Sequence, residues 1–205
     1  DNGSTGSAAW LVYANAADFV EGGGDSLTLA DEANMSAGDI DFEFGCCVRF
    51  DGLPGYNYNV ITKVGVNNEY ALQTSGTSIK WLVYNSIGSF DEIVWGSALS
   101  TATWYTVNVY HDSVNNLIGI VINAGTPATK AWTTGVRDAA NAFTVGGNSM
   151  DGRIGPVVRW NKVLSSAERT EWYNSGTPLT YAAMTASGSK NLFVGKFGNL
   201  LQGKL

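Results

Sequence analysis

Hydrophobic and polar residues alternate along most of this chain with the two-residue period of a strand that buries one face. Residues 39–50 carry the clearest case: Ile40, Phe42, Phe44, Cys46, Val48 and Phe50 interleave with Asp39, Asp41, Glu43, Gly45, Cys47 and Arg49. The pattern predicts a strand with its apolar set on a core and its polar set in solvent. Residues 104–111 repeat it, with Tyr105, Val107 and Val109 on one side, and a turn at 112–116 leads into 117–123, which predicts one hairpin. Further strands are predicted at 26–30, 60–64, 69–74, 79–84, 90–95 and 143–146, with a strand pair inside 8–20 and Gly-, Asn- and Ser-rich turns between them. Residues 127–138 read as a looser section, and 192–201 as a final strand or two.

One stretch breaks the period. Residues 151–160 form a strand with Ile154, Val157, Val158 and Trp160, and it leads into a short helix near residues 165–174. Ser165 and Glu168 stand at capping-box spacing, and Asn174-Ser175-Gly176 is a helix stop. Arg169 shares a helix face with Trp172 and Tyr173, so its stem is expected over apolar surface with its guanidinium in solvent. Turn signals about every 8 to 12 residues point to an antiparallel sandwich rather than a parallel sheet.

Composition narrows the function more than the fold. A chain of 205 residues with 44% hydrophobic and 12% aromatic residues can fill the core of a single sandwich domain. Only 15% of residues are charged, so Asn, Ser, Thr and Gly must supply much of the polar surface. The net charge of -6 argues against nucleic acid, which needs a basic stripe. No run of about 18 apolar residues occurs, so neither a membrane span nor membrane insertion is expected. Cys46 and Cys47 are neighbours whose side chains leave a strand on opposite faces. They read as free thiols, Cys46 inside and Cys47 outside or against a second layer.

The order of local motifs carries a family resemblance. Asp25-Ser-Leu-Thr-Leu-Ala-Asp31, Ser36-Ala-Gly-Asp-Ile-Asp-Phe42, Ile61-Thr-Lys63, Glu69-Tyr-Ala-Leu72, Thr103-Trp-Tyr105 and His111-Asp112 come first. Phe143-Thr-Val-Gly-Gly147, Asp151-Gly-Arg-Ile154 and Leu164-Ser-Ser-Ala-Glu168 through Tyr173-Asn-Ser-Gly176 follow. Over residues 8–178 this succession resembles the laminin-G-like, concanavalin A-like lectin and glucanase family, in its small branch of bacterial surface and phage or virus structural proteins. The resemblance implies an all-β, two-sheet antiparallel jelly roll. Residues 1–7 would then be a flexible terminus and 179–205 a C-terminal extension or arm. It also implies a non-enzymatic extracellular, cell-surface or virion module that binds a glycan or a partner protein in adhesion, decoration, a fibre or a filament. Alternatives are a self-assembling structural subunit, which makes a homo-oligomer or larger assembly, and a glycoside hydrolase.

Three groups of residues are candidates for chemistry. Asp39, Asp41 and Glu43 occupy every second position of one strand, about 6.6 Å apart along the backbone, and side-chain tilt can bring such carboxyls to the roughly 5 to 5.5 Å of a retaining glycosidase. Glucanases of the resembled family use an alternating Glu-x-Asp-x-Glu strand, whereas this chain has Asp39 at the first position. The simpler reading is a solvated strand face. Calcium is common in the family, and Asn148 and Asp151 flank a turn with suitable oxygens, although turn chemistry alone also places Asn and Asp there. For a glycan, Tyr56, Asn57, Tyr58, Asn59, Asn67, Asn68, Trp81 and Tyr84 offer aromatic faces and amides. With a single histidine, His111, a nucleophilic triad is not expected.

Overall fold

A computed structural model of the chain describes residues 16–53, 56–148, 150–179 and 192–193. The expected terminus at 1–7, the first member of the strand pair inside 8–20, and most of the 179–205 extension lie outside the described residues. The strands are β1 (Ala17–Phe19), β2 (Ser26–Leu29), β3 (Phe42–Phe50), β4 (Asn59–Lys63), β5 (Tyr70–Ser75), β6 (Ser78–Tyr84) and β7 (Phe90–Val94). They continue with β8 (Trp104–Asp112), β9 (Leu117–Ile122), β10 (Ala128–Ala131), β11 (Phe143–Gly146), β12 (Gly152–Trp160) and β13 (Leu192–Phe193). The helix α1 spans Ser166–Tyr173.

Two antiparallel sheets stack face to face as a jelly roll. The first has the order β1-β12-β3-β8-β9-β10, and β13 pairs with the Trp160 end of β12. The second has the order β2-β11-β4-β5-β6-β7. Between them lies a core in which Phe42, Phe44, Tyr70, Trp81 and Phe143 are fully buried or nearly so and meet ring to ring at 5.2 to 6.5 Å. The alternation of β3 fits this core, with Phe42, Phe44, Cys46, Val48 and Phe50 all inside. Beyond single-residue shifts at strand ends, two features differ from the sequence expectation. β3 starts at Phe42 and leaves Ile40 exposed, and the looser section 127–138 contains the edge strand β10, whose short Ala-Thr-Lys-Ala sequence carries no strand pattern.

The second face of β3 is not solvated. Glu43 and Cys47 are fully buried, and Gly45 is buried as well. Above Glu43 and Gly45 α1 lays a second layer, centred on Trp160, Leu164 and Trp172, while Cys47 packs in a separate cluster with Ala16 and Trp104. A Cβ on Gly45 would stand 2.7 Å from the Trp172 ring and 2.8 Å from that of Trp160, so only glycine lets the two indoles close over the sheet. Gly119 has the same role beside its cross-strand partner Tyr110, whose ring would meet a Cβ there at 2.2 Å. Cys47 takes the second-layer option, with its Sγ 3.8 Å from the Thr106 hydroxyl, and neither cysteine is in a disulfide.

Arg169 corrects its expectation for the same reason. Instead of reaching solvent, it is buried and its guanidinium lies 4.6 Å over the Tyr110 ring. Its Nε donates to Glu43 Oε1 at 2.9 Å and its Nη2 to Oε2 at 2.8 Å. The capping box does form. Glu168 N donates to the Ser165 hydroxyl and Ser165 N to the Glu168 carboxylate, and Asn174 closes the helix in the left-handed region at φ 42°.

Candidate functional site

At one end of the sandwich the segment 31–41 crosses from the second sheet to the first, over the ends of β8 and β12. A 3-10 turn at Ala33–Met35 sets its course, with Met35 in the core and its carbonyl accepting from the Tyr70 hydroxyl at 2.9 Å. Below the crossing is a cleft of about 560 Å³ lined by Ala33, Ser36, Asp39, Ile40, Asp41, Ser113, Arg159 and Asn161. Arg159 belongs to its lining, yet is only 3% exposed. Val157 and Arg159 pair with Cys46 and Phe44, so both face the core, and the Arg159 guanidinium stacks 5.4 Å from the Phe42 ring and 5.8 Å from that of Phe44.

Two hydrogen bonds hold this guanidinium. Nη2 donates to the Ser36 carbonyl at 2.9 Å, Nη1 donates to Asn161 Oδ1, and Nε has no partner within the protein. Burial lowers its pKa from the usual arginine value, with the Tyr70 hydroxyl opposing that shift. On the far wall, Asp41 Oδ1 accepts from Ser113 N at 2.8 Å and from the Ser113 hydroxyl at 2.7 Å. Asp39 is exposed. His111 sits behind this wall, fully buried, with Nδ1 2.8 Å from the Ile40 carbonyl. A carbonyl only accepts, so Nδ1 carries the hydrogen, and the buried Nε2 has no partner within the protein. The cleft therefore offers two carboxylates, two serine hydroxyls, an amide, the edge of the Arg159 guanidinium and a small apolar wall at Ile40 and Ala33. These groups suit hydrogen bonding to a ligand rich in hydroxyls.

The candidates from the sequence scatter over the molecule. Asp39 and Asp41 reach the cleft, but Glu43 does not. Its Oε1 also accepts from Asn108 Nδ2 at 2.7 Å and its Oε2 from Leu164 N at 2.9 Å, so the carboxylate is fully bonded beneath α1. The glycosidase arrangement of Asp39, Asp41 and Glu43 fails, because α1 takes Glu43 out of reach of substrate. Burial raises the Glu43 pKa above the ordinary glutamate value, against the lowering by Arg169.

Trp81 and Tyr58 are corrected too. Both are fully buried, Trp81 in the aromatic core, because β6 turns its odd positions inward. Asn59 accepts from Gln73 Nε2 at 2.7 Å, and Tyr84 packs on Phe90 at 5.4 Å. Asn67 and Asn68 are used in turns, Asn68 Oδ1 accepting from Gly65 N at 3.0 Å and Asn67 Oδ1 from Arg137. At the opposite end of the sandwich, Tyr56, Asn57, Asn148 and Asp151 do come together. The half-exposed Tyr56 donates to Glu21 at 2.5 Å, and the Asn148 amide donates to the Asn57 carbonyl. Asn148 is thus held as a turn residue, and among the described residues no group of three or more His, Cys, Asp or Glu side chains is placed to hold a metal ion.

No family model matches the chain, and no curated protein does. Solved structures match well. The likeness is to toxin binding domains. The botulinum neurotoxin serotype D binding domain aligns with 83% of this chain and 47% of its own, at 14% identity and a TM-score of 0.69. The binding domain of Paraclostridial Mosquitocidal Protein 1 aligns with 73% of this chain and 41% of its own, at 14% identity and a TM-score of 0.62. A third, the serotype D ligand binding domain in complex with N-acetylneuraminic acid, has 12% identity, covers 81% and 43%, and has a TM-score of 0.68. The chain spans less than half the length of these domains. At such identities the likeness establishes a concanavalin A-like jelly roll at the level of fold.

Sequence reasoning missed Ser36, Ser113, Arg159 and Asn161. Arg159 had a readable signal, being a charge two residues after core-facing Val157 in a buried strand. The others come from loops that only the crossing of 31–41 brings together.

Proposed function

We propose that this domain is a non-catalytic binding module of an extracellular, cell-surface or virion protein, of laminin-G-like type, and that the Asp39–Asp41–Arg159 cleft takes a carbohydrate. The observation that carries this reading is the buried Arg159 guanidinium on the cleft lining, held by Ser36 and Asn161, with the Asp39 and Asp41 carboxylates on the same lining. Binding domains of neurotoxins share the fold, and one of them holds N-acetylneuraminic acid, which supports a binding role. Two carboxylates against one guanidinium leave the cleft with net negative charge, so neutral or amino sugars are preferred over carboxylated ones.

A glycan array tests the proposal. The wild-type domain binds neutral glycans above sialylated ones, and Asp39→Asn with Asp41→Asn weakens binding about tenfold or more, as expected for charged hydrogen bonds lost from a site. An array without binding, or binding indifferent to the double substitution, overturns it. We propose residues 179–205 as an extension of the module, through which copies of the chain assemble in the competing reading. The native mass of the purified protein separates the two.

A further inference from the structure

The cleft end of the sandwich also carries protruding aliphatic side chains at the tips of three hairpins. Val66 in the β4–β5 turn is 98% exposed, Ile87 in the β6–β7 turn 83%, and Val114 in the β8–β9 turn 77%. Tips normally take Asn, Asp, Gly and Ser, and the neighbours here follow that rule, with Asn67, Asn68, Ser86, Ser113, Asn115 and Asn116.

These tips are fixed in place. Arg137 donates to Asn67 Oδ1 at 3.2 Å and to the Ser86 carbonyl, and its backbone N–H donates to the Tyr84 carbonyl at 2.6 Å. Trp132 N donates to the Asn116 carbonyl at 2.7 Å, while its indole N–H holds the Gly135 carbonyl at 2.7 Å. The segment 132–137 thereby ties all three turns to one another, and each turn is closed by its own Asx bonds, to Asn68, Asn85 and Asp112.

Convex, separate apolar tips need a pit apiece on a rigid protein partner. A lipid interface admits them without such matching, and uncharged amide and hydroxyl flanks can hydrogen-bond to headgroups without placing a charge there. The exposed and half-buried charges at this end include Asp39, Asp41, Asp112 and Asp138 against Arg137 and Lys162, an acidic balance that an anionic leaflet repels. We propose that this end lies on zwitterionic lipid, seating Val66, Ile87 and Val114 in the interface of a phosphocholine bilayer without crossing it.

Co-sedimentation with sugar-free vesicles tests this apart from the carbohydrate reading. Wild-type protein binds pure phosphatidylcholine vesicles, and binding weakens on an equimolar mixture with phosphatidylserine. Val66→Asp, Ile87→Asp and Val114→Asp each lower binding on the order of tenfold, and the triple variant loses it, with unchanged thermal midpoints because the sites are exposed. Val20→Asp serves as control, since Val20 is exposed (54%) at the opposite end, and it leaves binding unchanged. Absence of wild-type binding, preference for the phosphatidylserine mixture, or equal loss in Val20→Asp overturns the proposal.

Discussion

Lys63 and Glu69 are both fully buried and lie 2.7 Å apart, with the same ammonium reaching Asp31 and the Ala139 carbonyl at 2.8 Å. Burial outweighs the pull of Lys63 and pushes the Glu69 pKa up from 4.5 to about 7. The folded protein then holds this proton to a higher pH than the unfolded chain does. Its contribution is complete below about pH 4.5 and is lost as pH rises through about 7. Glu69→Gln, a mimic of the protonated form, should match the wild type in urea unfolding at pH 5 and exceed it at pH 8. Each tenfold difference in proton affinity between folded and unfolded chain is worth about 1.4 kcal/mol, so the gap is on the order of 2 to 3 kcal/mol. Parallel pH profiles for the two proteins would remove this account. No local pattern marks Lys63 as buried, because its environment comes from 31 and 139, far away along the chain.

Among the elements, α1 depends most on a single pair. Glu43 and Arg169 share two charge-assisted hydrogen bonds in a site closed to solvent, so removing one partner strands the other. Glu43→Gln or Arg169→Met should cost about 3 to 5 kcal/mol in urea unfolding, and a Glu43→Leu, Arg169→Met double variant should recover a large part. Equal losses in the singles and the double would exclude the pairing as the cause. Ser165→Ala, which removes only the helix cap, should cost about 1 kcal/mol. Gly45→Ala should be far worse than its one methyl implies, since Trp160 and Trp172 must part to admit it. Their edge-to-face contact at 5.3 Å makes tryptophan fluorescence a direct readout of helix detachment.

For the whole molecule, protection should follow coverage. β3 and β8 are central in their sheet and buried along both faces, whereas β10 and β7 are edge strands. In native-state hydrogen exchange, β3 and β8 amides should open only with global unfolding and those of β10 at much lower free energy. Comparable protection across the sheet would contradict this layering. The sequence alone determined most strands, the hairpin 104–123, the capped helix and the antiparallel sandwich, because these rest on side-chain period, turn residues and capping, all of them local, while the jelly roll was implied by the family resemblance. Only tertiary structure decided which faces are wet. The alternation in β3 cannot reveal that α1 returns from residue 165 to cover Glu43 and turn a polar stripe into a second core. For the same reason Asp39 and Asp41 were found by pattern, while Ser36, Ser113, Arg159 and Asn161, which complete their cleft, required the crossing of loops far apart in the chain.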